Sequence, residues 1–160
     1  MSGHKLNNRF RLFFHDPLSY NWTIQSYITI TDISTIEKYW ETTTLLNEYL
    51  HLGMFFLMRE NISPLWNETD NNYSFSIKVA KNEALWYWNY FNSHLLSENF
   101  LNSDFKDSWN TINGISISPK KNFCIIKIWL SDILEDNVKK VYKIPSKYLS
   151  LIHISEPTRR

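Results

Sequence analysis

Glycine is scarce in this chain, three in 160 residues, and cysteine is rarer still, with one. Gly3, Gly53 and Gly114 stand alone, which excludes a glycine-rich phosphate loop, and no Gly-x-Ser-x-Gly elbow is present for a serine nucleophile. Cys124 has no intrachain partner and lies in the apolar stretch Phe123–Trp129, where a buried, inert thiol in a reducing compartment is expected. No apolar run approaches the roughly 20 residues of a membrane span. Met1–Arg11 is polar and basic, without the apolar middle of a signal peptide. Four Asn-x-Ser/Thr triplets, at Asn21, Asn61, Asn67 and Asn72, then reflect asparagine richness rather than glycosylation. The formal net charge is only +1, so a duplex-DNA footprint or a polybasic membrane patch is not expected, and any nucleic-acid contact must be local. A cytoplasmic location, with neither membrane nor DNA as partner, follows as the expectation.

Catalytic chemistry is equally thin. His4, His15, His51, His94 and His153 show no metal-ligand spacing with one another or with Cys124, so neither metal nor cofactor is expected. Glu135 and Asp136 sit in a polar stretch that reads as a solvated face, not an acid–base pair. The sequence does not read as that of an enzyme.

What the chain does have is aromatic surface: seven tryptophans, nine tyrosines and ten phenylalanines. Arg9–His15 reads as a strand, and Asp16-Pro17 turns the chain toward a second at Trp22–Ile30. Ser34-x-x-Glu37 has the form of a capping box, opening a helix to about Leu50 with Ile36 and Trp40 at helical spacing. Met54–Met58 has strand length, and Tyr73, Phe75, Ile77 and Val79 alternate with polar residues as a half-buried strand. Asn82 can cap a helix carrying Leu85, Trp88, Phe91, Leu95 and Leu96. Asp104–Thr111 reads as a shorter helical segment ended by Asn113-Gly114. Ile115–Ser118 and Phe123–Trp129 read as strands joined by Pro119-Lys120-Lys121-Asn122, with a last helix over Leu134–Tyr142. This order does not alternate as a parallel βαβ fold would; it predicts a single α+β domain, an antiparallel sheet with helices on one face.

The tryptophans divide by position. Trp40 and Trp88 fall at apolar helix positions and suit a core. Trp22 and Trp66 stand at element ends beside polar loops, and Trp129 closes a strand whose preceding turn carries Lys120 and Lys121. Loop-mounted indole faces with nearby cations suit a nucleotide slot, although a lysine turn is also what a solvated surface looks like. Trp86 and Trp109 find no assignment from the sequence.

Taken in order, His4-Lys-Leu-Asn-Asn-Arg-Phe10, Asn21-Trp-Thr23, Ile36-Glu-Lys-Tyr-Trp40, Ile62-Ser-Pro-Leu-Trp66, Trp88 with Ser97-Glu-Asn-Phe100, and Ile126-Lys-Ile-Trp129 resemble the eukaryotic translation initiation factor 4E family. The resemblance covers most of residues 4–148. It implies a curved antiparallel sheet with helices on the convex face and a concave mouth that takes the 7-methylguanosine cap of messenger RNA. Trp22 and Trp66 would sandwich the base, Trp129 would touch its methyl edge, and Lys120 with Lys121 would approach the phosphates. Methylation makes the guanine cationic, so two indole faces gain cation-π attraction on top of stacking.

Departures from the family pattern weaken that grip. Asn67 stands where the family has a guanine-reading glutamate, so a carboxylate acceptor and its charge are missing unless Glu68 supplies them. Lys120 stands where arginine is usual, and Ile125 replaces a lysine. On the convex face the resemblance implies a helical-motif partner, a factor 4G-type scaffold or a 4E-binding repressor, on His4, Leu6, Ile36, Trp40, Asn89 and Leu96. Asn89, Tyr90 and Ser93 replace the leucines and glutamate usual there.

Residues 149–160, ending Glu-Pro-Thr-Arg-Arg160, resemble a translated sequencing adapter, so a cap-binding domain of residues 1–148 is expected, with the family's basic C-terminal loop missing. Two other readings stand beside cap binding with partner recruitment. One is a divergent paralogue acting as a translational repressor or protein-interaction module; the other is an aromatic-lined small-ligand domain without RNA.

Overall fold

The computed structural model describes residues 3–65, 71–135, 137–145 and the backbone of 153–155. Six antiparallel strands and a short seventh form one sheet: β1 (Lys5–His15), β2 (Ile28–Thr35), β3 (Met54–Arg59), β4 (Tyr73–Ala80), β5 (Ile112–Pro119), β6 (Phe123–Leu130) and β7 (His153–Ser155). Their order across the sheet is β2-β1-β3-β5-β6-β4-β7. Helices α1 (Ile36–Leu46), α2 (Ala84–Leu96) and α3 (Val138–Val141) complete the α+β architecture expected from the sequence.

Alternation along the strands determines what each face carries. Phe10 and Leu12 of β1, Phe55 and Leu57 of β3, Phe75 and Ile77 of β4, Ile115 and Ile117 of β5, and Ile126 and Ile128 of β6 point to one side. There they bury against Tyr39 of α1, Trp88, Phe91 and Leu95 of α2, and Val141 of α3 in one continuous core. The opposite face carries a smaller cluster of Phe13, Phe56, Met58 and Trp129, with Tyr27, Met54 and Ile62 packed on it. Among the described residues no α-helix packs on that face, which forms the mouth of the curved sheet.

Several local expectations shift. Trp22 does not begin a strand: Asn21 Oδ1 accepts from the Thr23 backbone N–H at 3.0 Å and from Thr23 Oγ1 at 2.8 Å, an Asx turn that curls the chain before β2 begins at Ile28. Thr35, not Ser34, caps α1, accepting from Lys38 N at 3.1 Å, and the helix ends at Leu46. Asn82 lies in a 3-10 turn and makes no cap. Asn113 and Gly114 lie inside β5 rather than ending a helix. Gly114 is required by closeness: a Cβ there would fall 2.5 Å from the Leu57 carbonyl oxygen of the neighbouring strand. The last helix shrinks to Val138–Val141.

The expected boundary at residue 148 falls outside the described residues. Beyond it, the backbone of His153–Ser155 pairs with Ser74–Ser76 as the edge strand β7. No described helix is long and apolar enough to cross a membrane.

Candidate functional site

Two loops curl over the open face from opposite ends of β1. The first, between β1 and β2, carries Trp22. Its indole stacks on the His15 ring with centroids 4.0 Å apart and planes 5° apart, and Tyr27 packs beside both. His15 is fully buried, and its Nε2 donates to the Asn21 carbonyl at 2.7 Å, so the imidazole is fixed to the loop it supports. Trp22 itself is 49% exposed. One indole face thus rests on a fixed ring and much of the rest is open. Burial pushes the Tyr27 hydroxyl up to about 12, so Tyr27 is a neutral wall.

The second loop, between β3 and β4, leads to Trp66. Asn61 takes a left-handed backbone (φ 69°), which asparagine tolerates, and turns the chain so that Ile62 packs over the open-face cluster. Trp66, Asn67 and Glu68, three of the residues expected to grip the base, lie outside the described residues. What flanks them is well held. Asn71, fully buried, donates through Nδ2 to the carbonyls of Ser63 at 2.8 Å and Leu65 at 3.0 Å, and its Oδ1 accepts from Asn113 Nδ2 of β5 at 3.0 Å. One amide therefore ties both shoulders of the segment 66–70 to the sheet. Between the two loops a cavity of about 350 Å³ is lined by Phe13, Ile24, Tyr27 and Ile62, with the Arg11–Asp32 ion pair (2.6 Å) at its wall.

Trp129 belongs to the open face but is 5% exposed, its indole N–H donating to Ser116 Oγ at 3.0 Å. Lys120 and Lys121 are exposed on the β5–β6 turn, where the Lys120 N–H bonds to the Phe123 carbonyl at 2.8 Å. Asn71 and Lys127 escaped sequence reasoning. Only strand alternation could have flagged Lys127, which shares a face with Trp129, two residues away; its ammonium lies 5.1 Å from that ring.

On the helix-bearing side, α1 and α2 are coupled through Tyr39, whose hydroxyl donates to Asn89 Oδ1 at 2.7 Å and accepts from Asn92 Nδ2 at 3.3 Å. Ile36 and Trp40 remain about half exposed beside this junction. His4 is bound to the same helix: its backbone N–H donates to Glu37 Oε1 at 2.6 Å and its Nδ1 lies 2.5 Å from Oε2. That carboxylate raises the His4 pKa, and the imidazolium lowers that of Glu37. Leu6 is partly buried against the core, and Leu96 is buried within it rather than presented on the surface.

The tryptophans left over also find places. Trp109 stacks on the Arg59 guanidinium at 4.9 Å, while Arg59 donates to the Trp109 and Ile112 carbonyls. Trp86 is exposed on α2 and lies parallel to Tyr90, with ring centroids 5.4 Å apart. Among the described residues no group of His, Cys, Asp and Glu is placed to hold a metal.

This architecture, with helices on one face of an antiparallel sheet and the ring-bearing β1–β2 loop over the other, places the chain among open-sheet α+β proteins. The sequence matches the family model of eukaryotic initiation factor 4E over residues 5–159, and the chain belongs to that family. A comparison with curated proteins gives no match. Among solved structures it is similar to C. elegans eIF4E-3 in complex with the 4E-binding protein Mextli and a cap analog, at 17% identity, covering 86% of this chain and 80% of that one, with a TM-score of 0.72. It is also similar to Ascaris suum eIF4E-3 with the m7G cap (18% identity, 86% and 79% coverage, TM-score 0.67) and with the m2,2,7G cap (18%, 86% and 79%, 0.66). At such identities the likeness is one of fold.

Proposed function

We propose that this protein binds the 7-methylguanosine cap of messenger RNA without catalysis, stacking the base between Trp22 and Trp66 with Trp129 near its methyl edge. It takes a helical-motif translation partner, of the 4G-scaffold or 4E-binding type, on the face formed by His4, Ile36, Trp40 and Asn89. The observation that carries this reading is Trp22, an indole half open to the mouth of the sheet and backed by the buried His15 ring. A fixed backing ring means that little side-chain entropy is lost when a base stacks on the free surface. Family membership supports the choice of ligand, as do the cap and cap-analog complexes of the similar folds.

Asn67 bears on strength rather than identity. An amide in place of a carboxylate loses a charge-assisted acceptor for the guanine edge, so a modest affinity is the expectation. Tryptophan fluorescence quenching by 7-methyl-GTP against GTP tests the proposal. The wild type should prefer the methylated nucleotide, Trp22→Ala and Trp66→Ala should each lose on the order of tenfold or more in affinity, since stacking is worth roughly 1–3 kcal/mol per base, and Asn67→Glu should tighten binding. Equal binding of both nucleotides by the wild type would overturn it.

A further inference from the structure

The ring behind Trp22 is an imidazole, a group that exists with or without a charge in ordinary buffers. His15 closes β1, is fully buried, and stacks on the indole at 4.0 Å with planes 5° apart. Its Nε2 lies 2.7 Å from the Asn21 carbonyl oxygen, and a carbonyl can only accept, so Nε2 carries a hydrogen. In the uncharged ring that is the only N–H, and Nδ1 is left as a bare lone pair. Nδ1 is buried without a hydrogen-bond partner among the described residues. A second proton would go there and find no acceptor. The neighbours of the ring supply no compensating charge. Tyr27, a neutral phenol pushed up to about 12, packs on it at 4.7 Å, with Phe56 behind; β3 sets Met54 opposite; and Asp16, the next residue, spends its Oδ1 on the Leu18 N–H at 2.9 Å.

We infer that His15 is a positioning residue that sets the preference of Trp22 for a methylated, cationic base over a neutral one, and that it does so only while its imidazole is uncharged. The inference rests on the cap-binding reading and concerns a residue to which the family resemblance assigns no role. An indole attracts a cation through its ring quadrupole. An uncharged imidazole on the back face leaves that attraction to the base on the front. An imidazolium would draw on it instead, and would place a second positive charge across one ring from the methylated guanine, in a buried position that salt screens little. A neutral guanine meets no such repulsion. The tether to Asn21 is the same in both states, because both carry the Nε2 hydrogen. Acid therefore removes the discrimination between the two bases without releasing the loop that presents Trp22.

The test measures the affinities of the full chain for 7-methyl-GTP and GTP between about pH 7 and about pH 5.5, with the His15 ring followed by NMR over the same range. Both ligands carry the same triphosphate, so its titration cancels in their ratio. The wild-type preference for the methylated nucleotide should fall on the order of tenfold as His15 takes up its second proton, with the two midpoints coinciding. His15→Phe keeps a flat ring behind Trp22 that cannot charge; its preference should match the wild type at neutral pH and stay level in acid. A wild-type preference that is level with pH, or that falls with a midpoint away from that of His15, overturns the inference and leaves cap binding standing. So does a His15→Phe protein that falls in acid as the wild type does. Loss of the preference in His15→Phe at neutral pH would make His15 a tether for the loop and overturn it too. A wild type without preference at neutral pH overturns both this inference and the cap-binding reading.

Discussion

The residue that most shapes the candidate site is one whose side chain never needs to touch the ligand. Asn71 spends its amide on the Ser63 and Leu65 carbonyls and on Asn113, fixing the ends of the segment that carries Trp66. Replacing it by alanine removes the donor from two loop carbonyls, and unpaired buried polar groups cost about 1–3 kcal/mol. Asn71→Ala should therefore lower stability by about that amount in urea unfolding and weaken 7-methyl-GTP binding beyond what the stability loss explains. Unchanged binding would show that the segment is held by other means. This role was not legible in the sequence, where Asn71 is one of several asparagines in a polar loop, because its partners lie on β5 and on either side of Pro64. Trp22 was legible as a loop-end indole; its backing by His15 was not, since that contact depends on the Asn21 turn folding the loop back onto β1.

At the level of elements, alternation in β4, the apolar run of β6 and helical spacing in α1 and α2 were plain in the sequence, and these strands and helices formed there, α1 ending at Leu46 rather than Leu50. The boundaries that moved did so for local reasons. Thr35 rather than Ser34 caps α1, and Glu37, the other half of the expected capping box, bonds to His4 instead of reaching back to the cap. Thr35→Ala should thus cost about 1 kcal/mol, whereas Ser34→Ala should cost little. Equal effects would contradict the assignment.

The His4–Glu37 contact gives the helix-bearing face a pH dependence whose sign is fixed by the two shifts. The raised His4 pKa means that its contribution is complete below the ordinary histidine value and is lost as pH rises through the raised one. The lowered Glu37 pKa means that its contribution is present above the ordinary glutamate value and is lost as pH falls through the lowered one. The contact is therefore strongest in mildly acidic solution. An NMR titration of the His4 ring should show the raised pKa fall back in Glu37→Gln; a His4 titration unaffected by that change would show the pair to be unformed in solution.

For the whole molecule, the antiparallel order of the sheet divides the functions between its faces: core and helices on one side, aromatic and cationic halves of the mouth on the other. Among the described residues the lysines of β4, β6 and the β5–β6 turn share one half of that face, while the ion-paired carboxylates Asp32, Glu37 and Glu60 lie elsewhere. Composition alone revealed only the surplus of tryptophan; topology sorted it, sending Trp88 to the core, Trp109 to Arg59, and Trp22 and Trp129 to the mouth.

The most direct test of this account is the affinity of the intact chain for a short RNA bearing a 7-methylguanosine cap, measured beside the same RNA with an unmethylated 5′ guanosine triphosphate and repeated in Trp22→Ala. The account predicts that the wild type prefers the capped RNA by on the order of tenfold or more and that Trp22→Ala abolishes the preference. Equal binding of the two RNAs by the wild type, or a preference that survives in Trp22→Ala, would contradict it.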